Sequence, residues 1–163
     1  MVEKIFINEM WLESFYRIYF NLGGFGDYMR ATCKSKLSDV GKILNEIKRV
    51  SKDIGAVVIF VGVVRSNGGN VLRLEYEVHP DLADRVLAKI GEEIKEKYGL
   101  MDVIIEHKAG KAEVGEDVMI VAIAAKHRAE AFEAIKEIVD RIKKEAPIWK
   151  KEITKTKAYW KVE

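Results

Sequence analysis

A chain of 163 residues, 48% hydrophobic and 33% charged, is long enough to bury one core and too apolar for disorder. Its formal net charge of +2 is too mild to demand nucleic acid, yet it leaves room for a local basic site that holds a small anion. A single cysteine, Cys33, excludes an internal disulfide framework and a cysteine-rich zinc site, and fits a reducing, cytoplasmic setting.

The first 28 residues differ from the rest. They hold Trp11, Phe15, Tyr16, Tyr19, Phe20, Phe25 and Tyr28, and close on a glycine-rich stop, Gly23-Gly24-Phe25-Gly26. Two readings stand: a short helix docked on the body or on a neighbouring subunit, or an extension preceding a start at Met29. The opening MVEKIFINEM is charged throughout, so no secretory signal is expected. Residues 11–25 are too short and too often interrupted to span a bilayer, and no membrane partner is expected.

From Ser38, a plausible N-cap, apolar residues at Val40, Ile43, Leu44, Ile47 and Val50 predict a helix to about Ser51. The continuous run from Ala56 to Val64 predicts a strand buried on both faces, ended by Arg65 and the turn 66–70. Val71 to Val78 alternates, with Leu72, Leu74, Tyr76 and Val78 on one face. It predicts a half-buried strand antiparallel to the first. Pro80 opens a helix and Gly99 closes it, with Leu82, Val86, Ile90, Ile94 and Tyr98 in one stripe. Strands follow at 103–108 and 117–126, separated by a turn at 113–116. A last helix, from about Arg128 to Glu145, buries Phe132, Ile135, Ile138, Val139 and Ile142, and Ala146-Pro147 stops it. Part of the basic and aromatic tail reads as an edge strand. The expected fold is α+β, an antiparallel-rich sheet with packed helices of α/β-hammerhead-like form, in a single domain over 29–163.

Three places could carry chemistry. Arg128 stands at a helix N-terminus, where backbone N–H groups favour anions and a cation is mildly unfavourable. Either an anion sits there, or Arg128 pairs with Glu130 or Glu133. Lys143 lies roughly 75° around its helix from the apolar stripe, at about 100° per residue, where an ammonium is partly desolvated. The plainer reading is a lysine that complements the helix dipole from solvent. Arg65 precedes glycines that let a ligand approach, although a hairpin turn explains them as well. The three histidines, His79, His107 and His127, lack metal-ligand spacing, and no metal is expected.

Beyond these local patterns, three stretches share a resemblance. Gly55-Ala56-Val57-Val58-Ile59-Phe60-Val61-Gly62-Val63-Val64-Arg65, Ala125-Lys126-His127-Arg128 with Ala131-Phe132-Glu133-Ala134, and Lys143 with Ala146-Pro147-Ile148-Trp149-Lys150-Lys151-Glu152 lie in order. Together they resemble the large, catalytic subunit family of molybdopterin synthase, from about Ser35 to the C-terminus. Val63 departs from the family, which often has lysine there. The resemblance implies a sulfurtransferase that converts cyclic pyranopterin monophosphate to the molybdopterin dithiolene, with no cofactor of its own. It implies a small ubiquitin-like partner bearing a C-terminal Gly-Gly thiocarboxylate, and a homodimer core within a heterotetramer. Lys143 and Lys150 fall on the family's two essential lysines. Arg65, His127 and Arg128 fall on residues that hold the pterin, the His-Arg pair reaching in from the dimer mate. Lys151 and Glu152 lie in the same substrate-contacting segment. The alternative is a non-catalytic small-anion or RNA-binding module using the basic tail with Trp149, Tyr159 and Trp160 as stacking surfaces; a structural dimer subunit without activity would leave the basic residues scattered.

Overall fold

The structure, a computed structural model, describes residues 30–161, so the aromatic segment 1–28 lies outside the described residues. The elements run β1 (Arg30–Lys34), α1 (Val40–Ile47), β2 (Ala56–Val63), β3 (Val71–Val78), α2 (Pro80–Tyr98), β4 (Asp102–Lys108), β5 (Gly110–Glu113), β6 (Asp117–Ala125), α3 (Arg128–Glu145), β7 (Ile148–Thr154) and β8 (Ala158–Lys161). They form two four-stranded sheets, a first of order β1-β4-β6-β2 and a second of order β5-β3-β7-β8. β1 runs parallel to β4, and the other pairings are antiparallel. The fold is α+β, as the alternation of strand pairs and helices predicts.

β6 organises the core because it is apolar on both faces and central in its sheet. Val121, Ile123 and Ala125 point to one side, where Leu87, Ile90 and Ile94 of α2 and Ile138 and Ile142 of α3 cover them. Ile120, Ala122 and Ala124 point to the other, under Ile43 and Ile47 of α1. Each fully buried isoleucine or leucine stabilises the fold by about 1.5–3 kcal/mol. No helix among the described residues is long and apolar enough to cross a membrane.

The long helices begin and end where their punctuation dictates. Pro80 occupies the first turn of α2, and Gly99 closes it in the left-handed conformation at φ 62°, its N–H and that of Leu100 capping the Glu96 and Lys95 carbonyls. α3 stops at Ala146, which the following proline holds extended.

Several expectations are corrected. β2 and β3 do not pair: β2 lies antiparallel to β6 at the edge of the first sheet, while β3 is central in the second. As an edge strand β2 is half-buried, not covered on both faces. The N-cap of α1 is Asp39, whose carboxylate accepts the Lys42 N–H at 3.0 Å, because Ser38 is bound to buried Glu106. A register shift between Val71 and Arg73 turns Leu72 outward, leaving it 43% exposed. Phe132 and Leu82 are also exposed; Ala131 and Ala134 fill the inner face of α3 instead.

Where β2 begins, Gly55 donates its N–H to the Ala125 carbonyl at 3.0 Å, and a Cβ there would drive into the Lys126 carbonyl oxygen. Gly55→Ala is expected to lower stability by about 1–3 kcal/mol. Denaturant unfolding would show it as a lower midpoint at unchanged slope.

Candidate active site

The two sheets do not meet flush. Between them lies a cleft of about 770 Å³, walled by Phe60 and Gly62 of β2, Met119 of β6 and the end of α3 on one side, and by Leu74, Tyr76, Lys150 and Glu152 of the second sheet on the other. Arg65, Lys143 and Lys150 all line it, although they lie far apart in the chain.

Each is placed by its element. Arg65 follows Val64, which is 2% exposed and pinned on both sides: its N–H donates to the Glu116 carbonyl at 3.0 Å, and its carbonyl accepts the Gly115 N–H at 2.8 Å. The chain then turns through Asn67, Gly68 and Gly69, all at positive φ. Three successive left-handed residues favour this Asn-Gly-Gly composition. Lys143 stands exposed in the last turn of α3, next to buried Ile142. Lys150 and Glu152 share the inner face of β7 by the two-residue period of a strand.

The lining carries Arg65, Lys143, Lys144, Lys150 and Lys161 against one carboxylate, Glu152. Excess positive charge in a partly enclosed space with low-dielectric walls favours an anionic guest. Glu152 is buried, and its Oε1 accepts the Tyr159 hydroxyl at 2.5 Å. That bond, with help from Lys161 and Lys150, outweighs burial and holds the carboxyl below the ordinary glutamate value.

The cleft of a single chain does not hold every expected residue, and the His127–Arg128 pair is expected from a dimer mate. Lys151 turns to the outer face of β7, its Nζ 5.5 Å from the centre of the Trp160 ring. His127 and Arg128 lie exposed at the N-terminus of α3 and outside the cleft. Arg128 pairs with neither Glu130 nor Glu133 among the described residues.

Other lining residues escaped the sequence reading. His107, 5% exposed on β4, meets the Tyr76 ring edge-on at 5.1 Å, and its Nδ1 lies 2.9 Å from the Lys108 carbonyl. Only a protonated Nδ1 can donate there, which fixes that nitrogen's role. Inside a β-branched strand this histidine gives no local signal beyond burial. Lys161 belonged to a tail whose face could not be assigned until β8 was seen to pair with β7.

Cys33 is half-buried on β1 and away from the cleft. Burial, then the adjacent Asp84 carboxylate, pushes its thiol up to about 12. A thiol so held is a poor nucleophile. The folded protein is expected to resist a thiol-specific reagent at pH 8 and to react promptly once unfolded. No cluster of three or more His, Cys, Asp or Glu suited to a metal is present among the described residues.

The family model for MoaE protein matches residues 34–145. A molybdopterin synthase catalytic subunit from Pyrococcus abyssi is 40% identical over 112 residues, 68% of this chain and 76% of that one. One from Bacillus subtilis is 41% identical over 119 residues, 71% and 76% of the two chains. Among solved structures, molybdopterin synthase from Staphylococcus aureus superposes with a TM-score of 0.73 at 30% identity, covering 83% of this chain and 100% of that one. With the fold, the cleft and these relatives in agreement, the chain belongs to the MoaE family, that of the catalytic subunit of molybdopterin synthase.

Proposed function

We propose that this chain carries the sulfur-transfer step of molybdopterin synthase in its intersheet cleft. The observation that carries the reading is the convergence of Arg65, Lys143 and Lys150 from three separate elements on one cavity. Arg65 and Lys150 neutralise the phosphate of cyclic pyranopterin monophosphate. His127 and Arg128, exposed at a helix N-terminus without a carboxylate partner among the described residues, serve the cleft of a second copy across a two-fold interface. Glu152 contacts the substrate from the cleft floor, and Lys151 supports the same strand from its outer face.

Sulfur comes from outside, on the thiocarboxylated Gly-Gly tail of a small ubiquitin-like subunit. This suits a chain whose own cysteine is held unreactive. A Helicobacter pylori chain of the same fold, with a TM-score of 0.67 at 23% identity over 81% of this chain and 90% of that one, was solved as the complex of subunits 1 and 2 of molybdopterin-converting factor. The thiocarboxylate sulfur displaces an oxygen at a pterin side-chain carbon: the carbon–sulfur bond forms as that carbon–oxygen bond breaks, and the oxygen leaves as water or stays on the phosphate. Water then cleaves the acyl–sulfur bond and returns the tail as a carboxylate. Lys143 stabilises the charge that builds on the tail carbonyl or moves the accompanying proton. Two transfers complete the dithiolene.

The reading assigns the assembly to a homodimer with two small subunits, working in the cytoplasm, and residues 29–163 to the catalytic domain. An RNA-binding module is less well supported: Lys150 lies in a cleft with Lys143 and Arg65, not on an open face beside Trp160. The test mixes the protein with thiocarboxylated small subunit and cyclic pyranopterin monophosphate and looks for molybdopterin. Failure of the wild-type protein to form it would remove the enzyme claim.

A further inference from the structure

The cleft floor carries an arrangement that lies beyond residue 145, where the family match ends. Across β7 and β8, Lys150 stands directly opposite Lys161, and Glu152 directly opposite Tyr159. Like charges facing each other across an antiparallel pair repel. Lys161 escapes this by reaching diagonally, its Nζ 3.1 Å from Glu152 Oε2. The Tyr159 hydroxyl holds the other oxygen, Oε1, at 2.5 Å. With Glu152 only 6% exposed, each carboxylate oxygen thus has a protein partner on β8.

A carboxylate at this depth is at odds with a site for an anion. Uncompensated, it would repel the guest. Lys150, on the same strand face, adds its own charge to the surroundings of this carboxylate.

We infer that Tyr159 and Lys161 are positioning residues, which lock the Glu152 carboxylate against β8 and offset its charge, so that it does not repel the anionic guest. The inference rests on the sulfur-transfer reading of the cleft. The two residues act differently. Tyr159 fixes orientation without changing charge, whereas Lys161 also cancels the carboxylate's charge.

Calorimetric binding of cyclic pyranopterin monophosphate, without small subunit, is the direct test, with steady-state kinetics beside it. Lys161→Met is expected to weaken binding and raise KM about tenfold, the loss of one charge-assisted hydrogen bond, while kcat changes little. Tyr159→Phe should give about a threefold effect, and Lys161→Arg should stay near wild type. Adding Glu152→Gln to Lys161→Met should return binding to the level of Glu152→Gln alone, because no charge remains to cancel. Lowered melting temperature with unchanged affinity, or an equal loss in the Glu152→Gln background, would overturn the inference. Wild-type protein that binds the pterin without turnover would sink the sulfur-transfer reading alone, and the binding series would still decide the role of β8. No binding by wild type would overturn both.

Discussion

Lys143→Ala should lower molybdopterin formation by about 10²–10⁴-fold, the range for a lost charge-stabilising or proton-moving group. The protein should unfold at nearly the wild-type temperature. Lys143 is exposed and sits in the last turn of α3, so its structural share is the helix-dipole contribution of about 0.3–1 kcal/mol. Single-turnover product yield and thermal unfolding, measured on the same preparation, separate the two quantities. Lys143→Arg then distinguishes the roles still open. If the ammonium only stabilises charge, arginine recovers part of the rate; if it passes a proton, arginine does not, because its guanidinium stays protonated. A variant that merely lost affinity in a salt-dependent way would point to an anion-binding module without chemistry.

The largest effect on stability is expected at Glu106, which is not among the residues lining the cleft. Its side chain is 1% exposed. It accepts from Lys34 Nζ at 2.7 Å, from the Ser38 N–H at 2.8 Å and from the Ser38 hydroxyl at 2.8 Å. This clasp ties the end of β1 to the approach to α1. Glu106→Ala strands a partly buried ammonium and a backbone donor, and should cost about 3–5 kcal/mol. Burial alone would raise this carboxyl, but the bonds from Lys34 and Ser38 outweigh it and hold it below the ordinary glutamate value. The clasp's contribution is therefore full above the unfolded-state value, about pH 4.3, and is lost as pH falls through the folded one. Glu106→Gln should remove that acid dependence; an unchanged acid-unfolding midpoint would count against the clasp.

These two sites differ in how far the chain announces them. Helix limits were legible because Pro80, Gly99 and Ala146-Pro147 act locally. The pairing of β2 was not, because Val57 and Ala124 meet across more than sixty residues while the nearer β3 offers an equally apolar face. β1 and β5 were invisible: Arg-Ala-Thr-Cys-Lys and Gly-Lys-Ala-Glu lack a period, and only their neighbours make them strands. At the site, Arg65, Lys143 and Lys150 came from the resemblance, since each alone has an ordinary explanation. Glu106 reads as one charge in an apolar strand, and nothing nearby in sequence names its partners. His107 and Lys161 became visible only when separate strands were brought together.

The three helices among the described residues stack on the sheet that contains β6, and the cleft lies between that half and the sheet of β3 and β7. Beside the cleft the two halves are joined by a small buried cluster of Val64, Tyr76, Ala112 and Val118. An anion seated between Arg65 and Lys150 would add a second tie across the cleft, so its binding is expected to raise the thermal unfolding temperature.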